Sequence, residues 1–171
     1  HGPSGIGLRV YHGRTAVSFN GATEIAFNTA GFTSHSAKLE VKKGDRIYME
    51  GFTTSASREG WVSNYCVTYD TVSAEQEADH VYAPDTEGGW GVQNNNGWHY
   101  LYRDTVTGTY SEMNYIGASN TEENFTDCFS VDSIFPYCFI TRDRMHPATK
   151  ADPVKAFCAP VGGEVQLSIN A

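Results

Sequence analysis

The chain has 171 residues, of which 40% are hydrophobic, 13% aromatic and 19% charged, and its formal net charge is −8. This length supports one domain with a sizeable core, so a single domain is predicted over residues 1–171. The negative charge argues against nucleic acid as a partner, because phosphate binding needs a basic face. No apolar run in the sequence approaches the roughly 18 residues of a membrane-spanning helix, so no membrane partner is expected.

The first part of the chain is predicted to form short strands. Residues 8–11 alternate between apolar and polar side chains, as in a half-buried strand, and weaker strand-like pieces follow at 16–19 and 24–27. The clearest signal covers residues 38–50, where two alternating segments flank Lys43-Gly44-Asp45. That pattern predicts a hairpin whose charged side chains are mostly solvated.

The middle of the chain predicts strands at 61–62 and 65–70, followed by a helix of about two turns at 73–80. Residues 94–97 read Asn-Asn-Asn-Gly, which favours a tight hairpin turn. After the turn, Trp98, Tyr100 and Tyr102 are expected to share one face of a strand.

The last part of the chain predicts strands at 109–116, 128–131, 135–141 and 165–169. About eight to ten short strands with turn signals between them are typical of an all-β protein. The predicted architecture is an immunoglobulin-like antiparallel β-sandwich with long loops, with a closed barrel as the second possibility.

Four cysteines, Cys66, Cys128, Cys138 and Cys158, lack the spacing of a zinc site. They predict two disulfides in an oxidising compartment, and hence a secreted, extracellular protein. The sequence leaves all three pairings open. The glycosylation sequon at Asn124 agrees with secretion.

The first residue is histidine, and no initiator methionine precedes it. If the mature protein begins at His1, its free α-amine and imidazole can chelate one metal ion. A second histidine would then complete three nitrogens in a T, a tetragonal arrangement that suits copper(II) better than zinc. This arrangement is called a histidine brace.

The second histidine of such a site is not fixed by the sequence. His99 is favoured because it begins a predicted strand beside a hairpin with aromatic neighbours, and His80 is the next choice. If neither binds the metal, His12, His35 and His146 remain.

An axial group beside the copper is expected on the predicted strand at 135–141. Phe135, Tyr137 and Phe139 alternate there, and Tyr137 is the best candidate. The motifs of serine hydrolases, zinc proteases and nucleotide-binding loops do not occur. A pair of carboxylates for glycoside hydrolysis stays open, since such residues meet in space and not in sequence.

Together, His1-Gly2, the β-rich domain, the turn at Lys43-Gly44-Asp45 and the late strand carrying Cys138 resemble a lytic polysaccharide monooxygenase. The resemblance is closest to the oomycete pectin-cleaving family of these enzymes. It implies an immunoglobulin-like sandwich with one copper ion bound by His1 and a second histidine. It also implies oxidative cleavage of a plant cell-wall polysaccharide, with pectin as the expected substrate, by O₂ or H₂O₂ and an external reductant. The protein is expected to be monomeric.

Pectin is anionic, so a protein of charge −8 needs a local basic patch to bind it. Arg142, Arg144, Lys150 and Lys155 could form that patch in a Pro-containing segment near the C-terminus, and an ordinary charged loop is the alternative. Two other functions remain open: a secreted copper-binding protein without catalysis, and a metal-free sandwich that binds carbohydrate through exposed Trp and Tyr.

Overall fold

A computed structural model of the chain describes residues 6–26, 33–53, 60–61, 63–72, 81–82, 90–117, 127–131, 137–142 and 144–171. Within these ranges the regular structure is entirely β, and none of the chain described forms a helix that could cross a membrane. The predicted helix at 73–80 and the sequon at Asn124 lie outside the described residues. The strands are β1 Ile6–His12, β2 Thr15–Ala16, β3 Glu24–Ala26, β4 Ser34–Val41, β5 Arg46–Thr53, β6 Gly60–Trp61, β7 Ser63–Val72, β8 Val81–Tyr82, β9 Trp98–Asp104, β10 Tyr110–Glu112, β11 Asn114–Ile116, β12 Cys128–Ser130, β13 Phe139–Ile140, β14 Arg144–His146, β15 Ala151–Cys158 and β16 Gly163–Asn170.

These strands form three antiparallel sheets. The main sheet has seven strands in the order β10-β9-β15-β5-β1-β2, with β3 also paired to β1. A five-stranded sheet has the order β11-β12-β13-β14-β6, and a four-stranded sheet has the order β4-β16-β7-β8. The predicted all-β antiparallel sandwich is confirmed.

The other two sheets pack against one face of the main sheet, which we call its inner face. Against the four-stranded sheet, Leu8, Ile47 and Phe157 join Val67 and Leu167 in the larger apolar core. Against the five-stranded sheet, a second core contains Tyr100, Phe129 and Ile140. Because successive residues of a strand point to opposite faces, the neighbours of these inner residues form the outer face of the main sheet.

The predicted hairpin at 38–50 is wrong, although both of its strands and its turn exist. β4 pairs with β16 in the four-stranded sheet, whereas β5 lies between β1 and β15 in the main sheet. The backbone N–H of Asp45 donates to the Lys42 carbonyl at 2.9 Å, and Gly44 takes a φ of 86°. The turn therefore carries the chain from one layer of the sandwich to the other, because each strand has stronger long-range partners than its sequence neighbour.

The predicted strand at 109–116 is two strands. β10 extends the edge of the main sheet beside β9, and β11 starts the five-stranded sheet beside β12. Between them Met113 is buried, and its N–H donates to the Tyr100 carbonyl at 3.0 Å. The chain therefore changes sheets at Met113.

The charged segment at 142–155 is mostly strand and not an ordinary loop, and Lys155 is not part of an exposed basic patch. β15 lies between β9 and β5 near the centre of the main sheet. Lys155 is 0% exposed, and its Nζ donates to the Arg142 carbonyl at 2.9 Å. Pro153 pairs with Tyr102 at a position where no β5 pairing is formed, which suits a residue without an N–H.

The tight turn predicted at 94–97 forms, but it joins no hairpin among the described strands, because β9 pairs with β10 and β15. Trp98 N–H donates to the Asn95 carbonyl at 2.9 Å, and Asn94, Asn96 and Gly97 all have positive φ. A Cβ on Gly97 would lie 2.6 Å from the Cys158 carbonyl oxygen, so this position requires glycine. Trp98 and Tyr100 are both buried on the inner face, as expected.

The two predicted disulfides are not formed by Cys66, Cys128, Cys138 and Cys158. Cys66 lies on the face of the four-stranded sheet that points away from the core, and Cys158 lies on the outer face of the main sheet. These two thiols are therefore on opposite outsides of the sandwich. Cys128 and Cys138 belong to different apolar clusters. The disulfide argument for an oxidising compartment is thereby lost.

Candidate functional site

Two of the predicted copper ligands, His1 and His80, lie outside the described residues. The first described residue is Ile6, where β1 begins. β1 is held on one side by β5 over seven residue pairs, from Ile6 with Thr53 to His12 with Ile47. The chain segment that carries His1 is therefore attached to a firmly paired strand of the main sheet.

His99 lies in β9 opposite Ala156, on the outer face of the main sheet. Its side chain is 12% exposed, and Nδ1 lies 4.0 Å from Glu112 Oε1. Burial lowers the pKa of His99, and the charge of Arg46 lowers it further. The imidazole is therefore neutral near pH 7, as a metal ligand must be, but the same Arg46 charge opposes a metal cation at this position.

The strand register also separates His99 from the start of β1. His99 lies in one row with Ala156, Tyr48 and Tyr11, and Tyr11 is five residues along β1 from Ile6. Three strand spacings and five residues along a strand put His99 roughly 22 Å from Ile6. Since residues 1–5 can extend by at most roughly 18 Å from Ile6, a brace using His99 needs those residues nearly straight and running back across the sheet.

Tyr137 and His146 lie side by side, with their ring centroids 6.4 Å apart. His146 is half-buried at the end of β14 and stacks on Phe139 with ring centroids 4.8 Å apart and an interplanar angle of 17°. Tyr137 is 57% exposed. We call these three residues the Tyr137–His146 corner.

The predicted strand at 135–141 is shorter than expected, since β13 spans only Phe139–Ile140, and Phe135 lies outside the described residues. Tyr137 has a φ of 76°, so its backbone is not extended and β13 does not include it. A bulky residue rarely adopts this left-handed conformation, and such strain is concentrated at functional sites. Tyr137 is thus presented to solvent by a strained turn and not by strand alternation.

The Tyr137–His146 corner is near the beginning of β1. A Cβ on Gly51 would lie 3.3 Å from the Cβ of Met145, the residue before His146. Gly51 pairs with Leu8, two residues from Ile6. These steps put the His146 backbone on the order of 10 Å from Ile6, within the reach of residues 1–5, while the His146 ring points away from the main sheet because Met145 faces it.

The two remaining histidines have partners elsewhere. His12 Nε2 lies 2.9 Å from Asp45 Oδ2, and His12 lines a cavity of about 350 Å³ between β2 and β4. His35 meets Phe19 edge-on with ring centroids 6.3 Å apart. Among the described residues, no three His, Cys, Asp or Glu side chains are grouped so that they could hold a metal ion. A histidine brace would draw two of its three nitrogens from His1.

No known protein family, curated protein or solved structure matches this chain. The functional assignment therefore depends on the residues of the chain itself.

A polar cluster at the opposite end of β12 and β13 from Tyr137 orders the surface of the second core. Asp127 Oδ1 accepts hydrogen bonds from Trp90 Nε1 at 2.8 Å and from the Tyr115 hydroxyl at 2.6 Å. Asp127 Oδ2 lies 3.7 Å from Arg142 Nε. Tyr115 and Arg142 are exposed, so aromatic and basic groups are both available at this surface.

Sequence reasoning missed one group of charged residues entirely. Glu50 and Asp152 are 1% and 6% exposed on the outer face, although the charges of residues 38–50 were expected to be solvated. Asp45 is half-exposed, and Lys38, Glu40 and Arg46 are exposed, as predicted. The only sequence signal that Glu50 is buried is that it shares one face of a clearly alternating strand with Tyr48 and Phe52.

Proposed function

We propose that the chain is a secreted copper-dependent lytic polysaccharide monooxygenase that cleaves a plant cell-wall polysaccharide, with pectin as the first substrate to test. The observation that carries the proposal is the Tyr137–His146 corner: an exposed tyrosine on strained backbone lies beside an imidazole, close to the strand that follows His1. The antiparallel sandwich agrees with the resemblance to that class of enzyme.

The residues of the corner suit the roles that a histidine brace requires. The α-amine and imidazole of His1 would hold the copper ion together with the imidazole of His146, and Tyr137 would lie beside it. Stacking on Phe139 fixes the orientation of the His146 ring, which a metal ligand needs. His99 is the alternative second ligand, although its distance from Ile6 and the Arg46 charge both favour His146.

Bound copper supplies the redox chemistry that uses O₂ or H₂O₂ and an external reductant to attack a C–H bond beside a glycosidic oxygen. The protein's own part is to fix the imidazole and to present a polymer to it. Exposed Tyr115 and Tyr137 offer faces for sugar rings, and exposed Arg142, Arg144 and Lys150 offer positive charge to an anionic polymer. Lys155 is buried and takes no part in this surface.

The ligand assignment is tested by copper(II) titration with spin resonance on His146→Ala, His99→Ala and His80→Ala. We expect His146→Ala to lose one nitrogen from the copper signal and the other two variants to keep it. His35→Ala is the matched control, since His35 packs against Phe19 away from the corner. Loss of the nitrogen in His99→Ala or His80→Ala instead would reject His146 as the ligand.

The activity is tested by incubating copper-loaded protein and a reductant with pectin, cellulose, chitin and xylan, followed by mass spectrometry of the released products. Oxidised galacturonan fragments would support both the enzyme class and the substrate. Oxidised fragments from another polymer alone would reject pectin. Copper binding without oxidised products from any polymer would reject the enzyme in favour of a non-catalytic copper-binding protein.

A further inference from the structure

Two carboxyl groups are buried next to each other on the outer face of the main sheet. Glu50 lies in β5 and Asp152 in β15, and these strands are neighbours. Glu50 pairs with Val154, so Asp152 is two residues further along β15 and points to the same face. The carboxyl groups are close enough to share a hydrogen bond, yet Glu50 Oε1 has no hydrogen-bond partner among the described residues when both groups are ionised.

The positive charge near this pair is smaller than the negative charge. The Arg103 Nη1 atom lies 3.5 Å from Glu50 Oε1 and 3.8 Å from Asp152 Oδ2. Arg9 lies opposite Glu50 on β1, but its guanidinium pairs with Glu24 at 2.8 Å and stacks over Phe52. Two guanidinium groups therefore face three carboxyl groups, of which Glu50 and Asp152 are buried.

Leaving both carboxyl groups ionised would bury an uncompensated negative charge, which is costly away from water. A single proton on Asp152 removes that charge and provides a hydrogen-bond donor to Glu50. In agreement, burial together with the Glu50 charge raises the pKa of Asp152 to about 7, and burial raises the pKa of Glu50.

The pair is linked to strand β10 at the sheet edge. The Tyr110 hydroxyl donates to Glu50 Oε2 at 3.4 Å, and the Tyr110 ring stacks on Tyr48 with centroids 4.8 Å apart. β10 has only three residues and pairs with β9 alone among the described strands. The other titratable or charged groups that face the pair are Arg9, Tyr11, Glu24, Tyr48 and Arg103 on the main sheet and, from the inner side, Cys138.

We propose that Glu50 and Asp152 share one proton, so that the stability of the main sheet falls as pH rises. While the proton is present, Arg103 balances the pair and Glu50 can accept from Tyr110. When the proton leaves, the two carboxylates repel each other and compete for Arg103. This inference is independent of the copper site.

The test measures the unfolding constant of the metal-free protein between pH 4 and pH 8. The ordinary pKa of Asp152 is 3.8, so the folded state holds an extra proton above that pH and loses it near pH 7. The stability that the raised pKa of Asp152 gives the folded state is fully present below pH 3.8 and is lost as pH rises toward 7. The unfolding constant should therefore increase by up to tenfold per pH unit between these values. Asp152→Asn should remove this increase and should unfold less readily than the parent at pH 8.

Asp70→Asn is the matched control, since Asp70 pairs with the exposed Lys38 on the four-stranded sheet. It should keep the pH dependence of the parent. If Asp152→Asn does not fold, Glu50→Gln and the infrared band of a protonated carboxyl group in the parent replace it. Equal pH dependence in the parent and in the folded variant, or absence of that band at pH 6, would overturn the shared proton.

Discussion

The two faces of the main sheet are built from the same strands but are buried by different means. In β5, Ile47 and Met49 point inward to an apolar core, while Tyr48 and Glu50 point outward. The inner face is covered by two other sheets and is largely apolar, although Lys155 is buried there with its Nζ donating to the Arg142 carbonyl. The outer face buries charged groups beside tyrosines and Arg103. Burial by apolar packing does not depend on protonation, whereas burial of carboxyl groups does, so the two faces should respond differently to pH.

The largest effect should come from a truncation on the inner face. Phe157 is fully buried and packs against Trp98 with ring centroids 5.4 Å apart. Phe157→Ala should lower the free energy of unfolding by about 3–5 kcal/mol, by the same amount at pH 5 and pH 8. Denaturant unfolding at both pH values measures it, with exposed Val106→Ala as the control. A loss that changes with pH would break the distinction between the two faces.

A smaller effect, and one that depends on pH, should follow on the outer face from Arg103→Met. Removing the guanidinium leaves Glu50 and Asp152 without their shared partner, which should cost about 2–3 kcal/mol at pH 8. The loss should be smaller at pH 5, because the pair then holds a proton. Denaturant unfolding of parent and variant at the two pH values measures this loss of free energy. A larger loss at pH 5 than at pH 8 would contradict the excess of negative charge on this face.

The smallest effect should come from Tyr110→Phe, which removes one partly buried hydrogen bond to Glu50 and keeps the ring that stacks on Tyr48. We expect a loss of about 0.5–1.5 kcal/mol at pH 6. Burial also raises the pKa of Tyr110 to about 12, so the hydroxyl remains a donor throughout the tested range. No loss at pH 6 would show that Tyr110 does not couple β10 to the pair.

The strands that alternate clearly could be located from sequence, but their partners could not. Residues 38–50 show this: the strands and the Gly44 turn are present, yet β4 and β5 belong to different sheets. β15 was missed because Asp152, Pro153 and Lys155 give it the composition of a loop, although neighbours on both sides bury it. Register alone brings Glu50 and Asp152 together, and register is not encoded in local composition.

The candidate site could also be predicted from the sequence only in part. Tyr137 was chosen because aromatic residues alternate around it. Its exposure results instead from a positive φ, which cannot be predicted from the sequence at a tyrosine. His146 was left among the remaining histidines, and only the contact of Met145 with Gly51 brings it near β1. The roles of His1 and His80 remain predictions.

The most direct test of the copper proposal is a copper(II) titration, followed by spin resonance, of protein whose first residue is His1 and of the same protein with one glycine added before it. A histidine brace predicts one tightly bound equivalent with three nitrogens, and an affinity lower by orders of magnitude when an amide replaces the α-amine. Affinity should also rise from acid toward neutral pH as the amine and imidazoles lose their protons. Equal affinity and the same nitrogen count in both proteins would contradict a brace at His1.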